Sequence, residues 1–297
     1  MAIAANQLID TGYDFTVNQV EVPHPIKKGK SGYFMNIRED NDEILGWTTE
    51  RYGLVQHRDV VGFADNAFAG RGIDVDRKVI VTEGGAKMRA EYTLLDDAFK
   101  AEIPQVGDPV RYKLTAQNSM DRSLRLSYIL GIERLVCLNG MTTTEKEVEM
   151  CKKHSMNVNL GDILSADALD KALARMEDSL EVYGRLAQVG VTQEQGLTIL
   201  ENLSNAKVFS EKVRESIAMI WNTPTHEEDK ARNLYNLNNA VTQHLTHEVA
   251  GERFEYANRA TTNVLKRFDL ASRNKKRLEK LWNPAHLEVS DIVTVTA

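Results

Sequence analysis

Three stretches of this chain alternate strictly between apolar and polar residues, and that pattern constrains the fold more than any other feature. In KMRAEYTLL, Met88, Ala90, Tyr92 and Leu94 point one way, while Lys87, Arg89 and Glu91 point the other. VRYKLTA sets Val110, Tyr112, Leu114 and Ala116 against Arg111, Lys113 and Thr115. SLRLSYIL sets Leu124, Leu126, Tyr128 and Leu130 against Arg125, Ser127 and Ile129. Such strands lay one face on a core and turn the other to water or a partner. KVIVT precedes the first stretch across the turn EGGA, where Gly84–Gly85 can take the positive φ values of a tight connection, so a hairpin is expected. Upstream, Tyr33, Met35 and Ile37 alternate with polar neighbours, REDNDE follows and EILGWTT resumes, which predicts a second hairpin. Between the hairpins, HRDVVGFADNAFAG spaces Val60, Val61, Phe63, Ala64, Ala67 and Phe68 as a helix that Gly70 and Gly72 stop.

Beyond ERLVCLNGMTTT the composition shifts, and from Ser165 onward almost every segment has helical periodicity. Ser165 and Ser210 stand where N-caps belong. NTPTHEEDK reads as a loop whose acidic end starts the helix DKARNLYNLNNAVTQHLTHEV, favourable for its dipole. Two more helices are expected in FEYANRATTNVLKRF and NKKRLEKLW. The fold class is therefore α+β, with an antiparallel sheet and helices in the N-terminal half and a helical C-terminal half. Pro23, Pro25 and KKGK mark residues 1–30 as an arm. An antiparallel α+β domain is expected over 31–150 and a helical region over 151–297, which can share one core with the domain before it.

With 297 residues, of which 42% are hydrophobic and 27% charged, the chain can bury a sizeable core. No apolar run approaches the ~20 residues of a membrane span. The opening MAIAANQLIDTGYDF lacks the basic and apolar blocks of a secretory signal. Two cysteines cannot make a disulfide framework and suit a reducing cytosol, so a cytoplasmic location and no membrane partner are expected.

No motif demands catalysis. Cys151 and His154 form a Cys-x-x-His pair, but a structural zinc normally takes four ligands in paired spacing and Cys137 has no near companion. His244 and His247 sit on one expected helix face, yet Glu248 does not complete a His-Glu-x-x-His sequence. There is no phosphate-binding glycine loop and no nucleophile elbow. No enzyme activity, metal or cofactor is expected.

Charge points to a surface instead. The net charge of −6 argues against a uniformly basic protein, but Arg259–Lys280 carries eight basic and two acidic residues, leaving −12 for the rest. Such a segment marks an anionic partner or a helix docked on an acidic neighbour. The polar rows of the alternating stretches carry Lys87, Arg89, Arg111, Lys113 and Arg125, with Arg122 in the connecting loop and Arg134 beyond. These seven residues could follow a phosphate backbone, although charge on a solvated sheet face is also the ordinary arrangement. Exposed aromatics for base stacking are missing from that face, because Tyr112 and Tyr128 belong to the inward row.

RYGLVQHRD (51–59), QNSMDRS (117–123), ERLVCLNGM (133–141) and LYNLNNAVTQHLTHE (234–248) together resemble the phage- and plasmid-related proteins of domain-of-unknown-function family 932. The resemblance runs over roughly residues 30–270, and Arg134–Asn139 and Asn239–Thr242 are its more specific elements. The chain departs from the pattern at Arg122, where members often have a glycine after the aspartate. The family brings no catalytic residues. It implies a home on mobile elements in a bacterial host cytoplasm, and its core is loosely similar to single-strand annealing proteins. The resulting expectation is an oligomeric protein that binds and anneals single-stranded DNA in recombination. The alternative is a structural or host-interaction protein that binds protein partners, which the acidic balance and long helical half favour.

Overall fold

The computed structural model describes residues 12–24, 26, 29–135, 140–141 and 150–283, with the backbone alone described at 140–141 and 248–255. Cys137 and Asn139 lie outside the described residues. In chain order the elements begin with β1 (Val17–Pro23), β2 (Lys30–Arg38), β3 (Ile44–Thr49), α1 (His57–Ala69), β4 (Val75–Thr82) and β5 (Lys87–Leu94). They continue with β6 (Lys100–Glu102), β7 (Pro109–Ser119), β8 (Leu126–Arg134), β9 (Gly140–Met141), β10 (Cys151–Lys152) and α2 (Ala166–Ala174). Helices α3 (Met176–Ala187), α4 (Gln193–Asn205), α5 (Glu211–Asn222), α6 (Leu234–His244), α7 (Ala250–Ser272) and α8 (Lys275–Trp282) complete the chain. The α+β class is as the patterns predict: antiparallel sheets first, helices afterwards.

The chain divides into two compact units that do not meet at one boundary. The first holds residues 1–100, 111–131 and 145–174, the second 101–110, 132–144 and 175–297. Residues 17–23 are not an arm. They form strand β1, paired antiparallel to β2, and Val17 is buried.

Within the first unit, β1, β2 and β3 form a three-stranded sheet, and β10, β4, β5 and the larger parts of β7 and β8 form a larger one in the order β10, β8, β7, β5, β4. The alternation read from the sequence holds along β5 and β7, where Met88, Ala90, Tyr92, Leu94, Leu114 and Ala116 are buried, but not in β8, which starts at Leu126 and buries Ser127 along with Leu126 and Tyr128. Helix α1 covers that apolar row. The Tyr92 hydroxyl donates to Val61 O at 3.1 Å and the Tyr128 hydroxyl to Val60 O at 2.9 Å. Burial pushes both phenols far above their ordinary range.

The small sheet mixes the two kinds of residue. Its buried residues are Val17 and Leu45, which pack with Phe15, Ala86 and Met120, together with the polar Asn36 and Thr48, while Tyr33 and Trp47 face out. Asn36 Nδ2 donates to Met120 O at 2.6 Å, and the Thr48 hydroxyl, which accepts from Gln19 Nε2, donates to Asn36 Oδ1 at 3.4 Å. This polar row grips the end of β7. Gly46 makes the approach possible, since a Cβ there would stand 2.6 Å from Asp121 Cα and 2.7 Å from Met120 O.

Two of the family-like segments meet in this unit. The Tyr52 hydroxyl donates to Ser119 O at 2.6 Å, and Asn118 Nδ2 reaches Val55 O at 2.8 Å and His57 Nδ1 at 3.0 Å. His57 Nε2 lies 2.9 Å from Gly85 O, so the ring donates there and accepts from Asn118. That pattern requires the neutral imidazole, and burial holds its pKa down at about 4.

The second unit is helical apart from its short strand pieces. Asn233 caps α6 through Asn236 N at 2.8 Å, and Thr192 with Gln195 forms a reciprocal capping box on α4. Ser165 and Ser210 both cap as expected, their hydroxyls accepting from Ala168 N and Val213 N. The acidic residues after Thr225 do not start a helix dipole. Asp229 is buried and faces Arg134.

Gly46→Ala forces backbone against backbone and should lower stability by about 1–3 kcal/mol in urea titrations. Gly62→Ala, in open space on α1, should raise it by up to about 1 kcal/mol. The His57 contribution is present above the unfolded-state pKa and lost as pH falls towards 4. Stability should therefore drop by about 3 kcal/mol between pH 7 and 4 through this residue, and His57→Gln should flatten that window.

Candidate nucleic-acid interface

The seven expected cations do not form one open row. Strands β5 and β7 bring Lys87, Arg89, Arg111 and Lys113 to one side of the larger sheet, with Glu91 among them. Arg89 Nε lies 2.8 Å from Glu91 Oε1 and Lys113 Nζ 2.9 Å from Glu91 Oε2. All three side chains are only 14–18% exposed. Burial alone would raise the Glu91 carboxyl, but Lys113, Arg89 and Lys78 outweigh it and hold the pKa below its ordinary value. Lys87 pairs with Glu83 at 2.7 Å, and Arg111 donates to Leu95 O at 3.0 Å. This row is a paired, half-buried network, with much of its charge committed within the sheet.

Arg134 is a correction. It belongs to the second unit, with no exposed side-chain surface, so it has no phosphate-facing position. Its Nε donates to Asp108 Oδ2 at 2.7 Å and its NH1 to Asp229 Oδ1 at 2.8 Å. The Tyr235 hydroxyl adds a 2.7 Å bond to Asp108, and Asn239 Nδ2 a 3.1 Å bond to Asp229. A pattern of exposed arginines could not reveal this, because the two aspartates lie 26 and 95 residues away in the chain.

Arg122 lies in the connecting loop, and Arg125, expected on a strand, lies there too, just before β8. Both are exposed in the connection between β7 and β8, and neither has an ion pair among the described residues. Asp121 Oδ1 accepts from Ser123 N at 2.9 Å and from its hydroxyl at 2.6 Å, closing a tight turn with Arg122 at its tip. Arg122 has φ of +71°, the left-handed conformation that glycine adopts freely and an L side chain adopts at a cost. The pairing of β10 with β8 ends at Lys152 opposite Leu126, and the next residue beyond each strand end, Lys153 and Arg125, is exposed. Lys153 and Lys78 were missed because neither lies in a strictly alternating stretch.

In the second unit, the cationic segment occupies the end of α7 and α8. Arg259, Arg273, Lys275, Lys276 and Arg277 are exposed, and Arg273 pairs with Asp269 at 3.0 Å. His154 is turned to the backbone, its Nδ1 3.1 Å from Gly53 O and its ring stacked on Tyr52 at 4.9 Å. His244 is buried, and Cys151 is a free thiol. Among the described residues no cluster of three or more histidine, cysteine or acidic side chains could hold a metal, and no helix is long and apolar enough to cross a membrane.

Arg134→Met should leave Asp108 and Asp229 buried without a counter-ion and cost about 3–5 kcal/mol. Adding Asp108→Asn and Asp229→Asn to it should recover part of that loss, read from urea midpoints at neutral pH.

No curated protein and no solved structure matches the chain. A family model, the domain of unknown function DUF932, matches residues 44–282, which include all four segments that carry the resemblance. The chain belongs to the DUF932 family.

Proposed function

We propose that the chain binds single-stranded DNA and anneals it in the recombination of phage or plasmid DNA, working as a homo-oligomer in the bacterial cytoplasm. The observation that carries this reading is Arg122. An arginine in a left-handed turn costs backbone energy that a glycine would not, on the order of 1 kcal/mol. Strain of that kind collects where the strained residue has a task. Here the residue is a solvent-exposed cation, with Arg125 and Lys153 nearby and their charge not spent on acids as Glu91 spends that of Arg89 and Lys113. Cations placed in this way contact phosphate and confer no sequence preference.

The test is the salt dependence of binding to oligo(dT), followed by fluorescence anisotropy. Affinity should fall as salt rises, and Arg122→Ala with Arg125→Ala should weaken binding and make the log–log slope shallower by about 1.4, or 0.7 for each phosphate no longer neutralised. Arg122→Gly should weaken binding yet raise stability by about 1 kcal/mol. Absence of binding at low salt contradicts the proposal.

A further inference from the structure

The three-stranded sheet keeps apolar side chains on both faces, and its outer face has chemistry of its own. Cross-strand register sets Val20 opposite Met35, Met35 opposite Trp47 and Tyr33 opposite Thr49, so these side chains share one face. A register shift around Leu45 brings Ile44 opposite Ile37 on the same side. Val20, Tyr33, Ile44 and Trp47 are 42%, 58%, 48% and 52% exposed. They are four of the eight large apolar side chains exposed among the described residues, gathered on one small sheet. An apolar patch of this kind marks a binding surface.

What covers it follows from what lies on it and beside it. The face carries no charged side chain along the paired residues of its strands, so it offers nothing to a salt-bridged partner. Trp47 on β3 and Tyr33 on β2 are diagonal neighbours, a spacing at which two planar groups can each find a ring. The strand that carries Trp47 touches the turn that carries Arg122. Gly46 packs directly on Asp121 through the buried side of the sheet, so this turn lies behind the edge strand β3, across it from the Trp47 ring. Aromatic rings on one side of an edge strand, with cations free of ion pairs at its other side, suit single-stranded nucleic acid, with bases on the rings and the phosphate chain led round the edge to the cations.

Resting on the single-strand reading above, we infer that the outer face of β1, β2 and β3 is a base-stacking platform. It takes two successive nucleobases on Trp47 and Tyr33, while the sugar–phosphate chain passes the edge of β3 towards Arg122. The sequence shows these aromatics only as part of a hairpin. Their exposure depends on the burial of Asn36 and Thr48 behind them.

Binding of oligo(dT) and of an abasic oligomer of equal length separates rings from phosphates. The proteins are wild type, Trp47→Phe and the double variant Tyr33→Ala with Trp47→Ala, each checked by circular dichroism, and unbound size is followed by light scattering. The double variant should bind oligo(dT) at least about tenfold more weakly, bind the abasic oligomer as wild type does, and keep its size. Trp47→Phe should retain most of the affinity. If wild type binds neither oligomer, the single-strand reading falls and the platform with it. If the double variant binds oligo(dT) like wild type, or loses both oligomers equally, the platform alone is overturned. A smaller unbound assembly in the double variant assigns the face to a second copy and also overturns it.

Discussion

Asn36, together with the buried Val17 and Leu45, commits one side of the three-stranded sheet inward. Its amide is fully buried, and a buried amide without partners costs about 1–3 kcal/mol. The Met120 carbonyl and the Thr48 hydroxyl supply those partners only if this row of the sheet turns towards the end of β7. Once that row is committed inward, the pleat sends Tyr33, Met35 and Trp47 outward, because successive side chains on a strand point to opposite faces. Gly46 has no room for a side chain at the same approach. The exposed aromatics therefore follow from what the other side of the sheet buries, a polar lock beside an apolar cluster.

The family-like segments share this character, since they meet in pairs inside each unit. In the first, Tyr52 and His57 bond to Ser119 and Asn118. In the second, Arg134 is held by Asp108 and Asp229, which Tyr235 and Asn239 hold in turn. Hydrogen bonds of this kind fix geometry in a core. The polar residues that make the family legible build the frame. The turn from Asp121 to Ser123 is the exception, and there the frame reaches solvent with a strained arginine at its tip.

Local periodicity carried far in this chain. Met88 to Leu94, Val110 to Ala116 and the helix at His57–Ala69 obey the rule that apolar residues turn inward, and the sequence shows them directly. Two kinds of feature escaped it. Arg134 reads as one more cation near a basic strand, because its aspartates are distant in sequence and only the fold unites them. Tyr33 and Trp47 obey the alternation but with the opposite sense, since period two says which residues share a face and not which face is buried. Distant partners set that sense: the Asn36 bond to Met120, and the packing of Val17 and Leu45 on Ala86 and Met120. Residues 17–23 escaped for a similar reason: Pro23 suggests an arm, yet it sits at the end of β1, where a strand tolerates it.

On this reading the outward face of the small sheet meets the bases of a single strand. Photo-crosslinking of bromodeoxyuridine-substituted single-stranded DNA, with the attachment sites read by mass spectrometry, tests that meeting most directly. Adducts are expected on Trp47 and Tyr33, with none on buried Trp221 or Tyr235. Adducts confined to the Arg259–Lys280 segment, with Trp47 and Tyr33 unmodified, would contradict it.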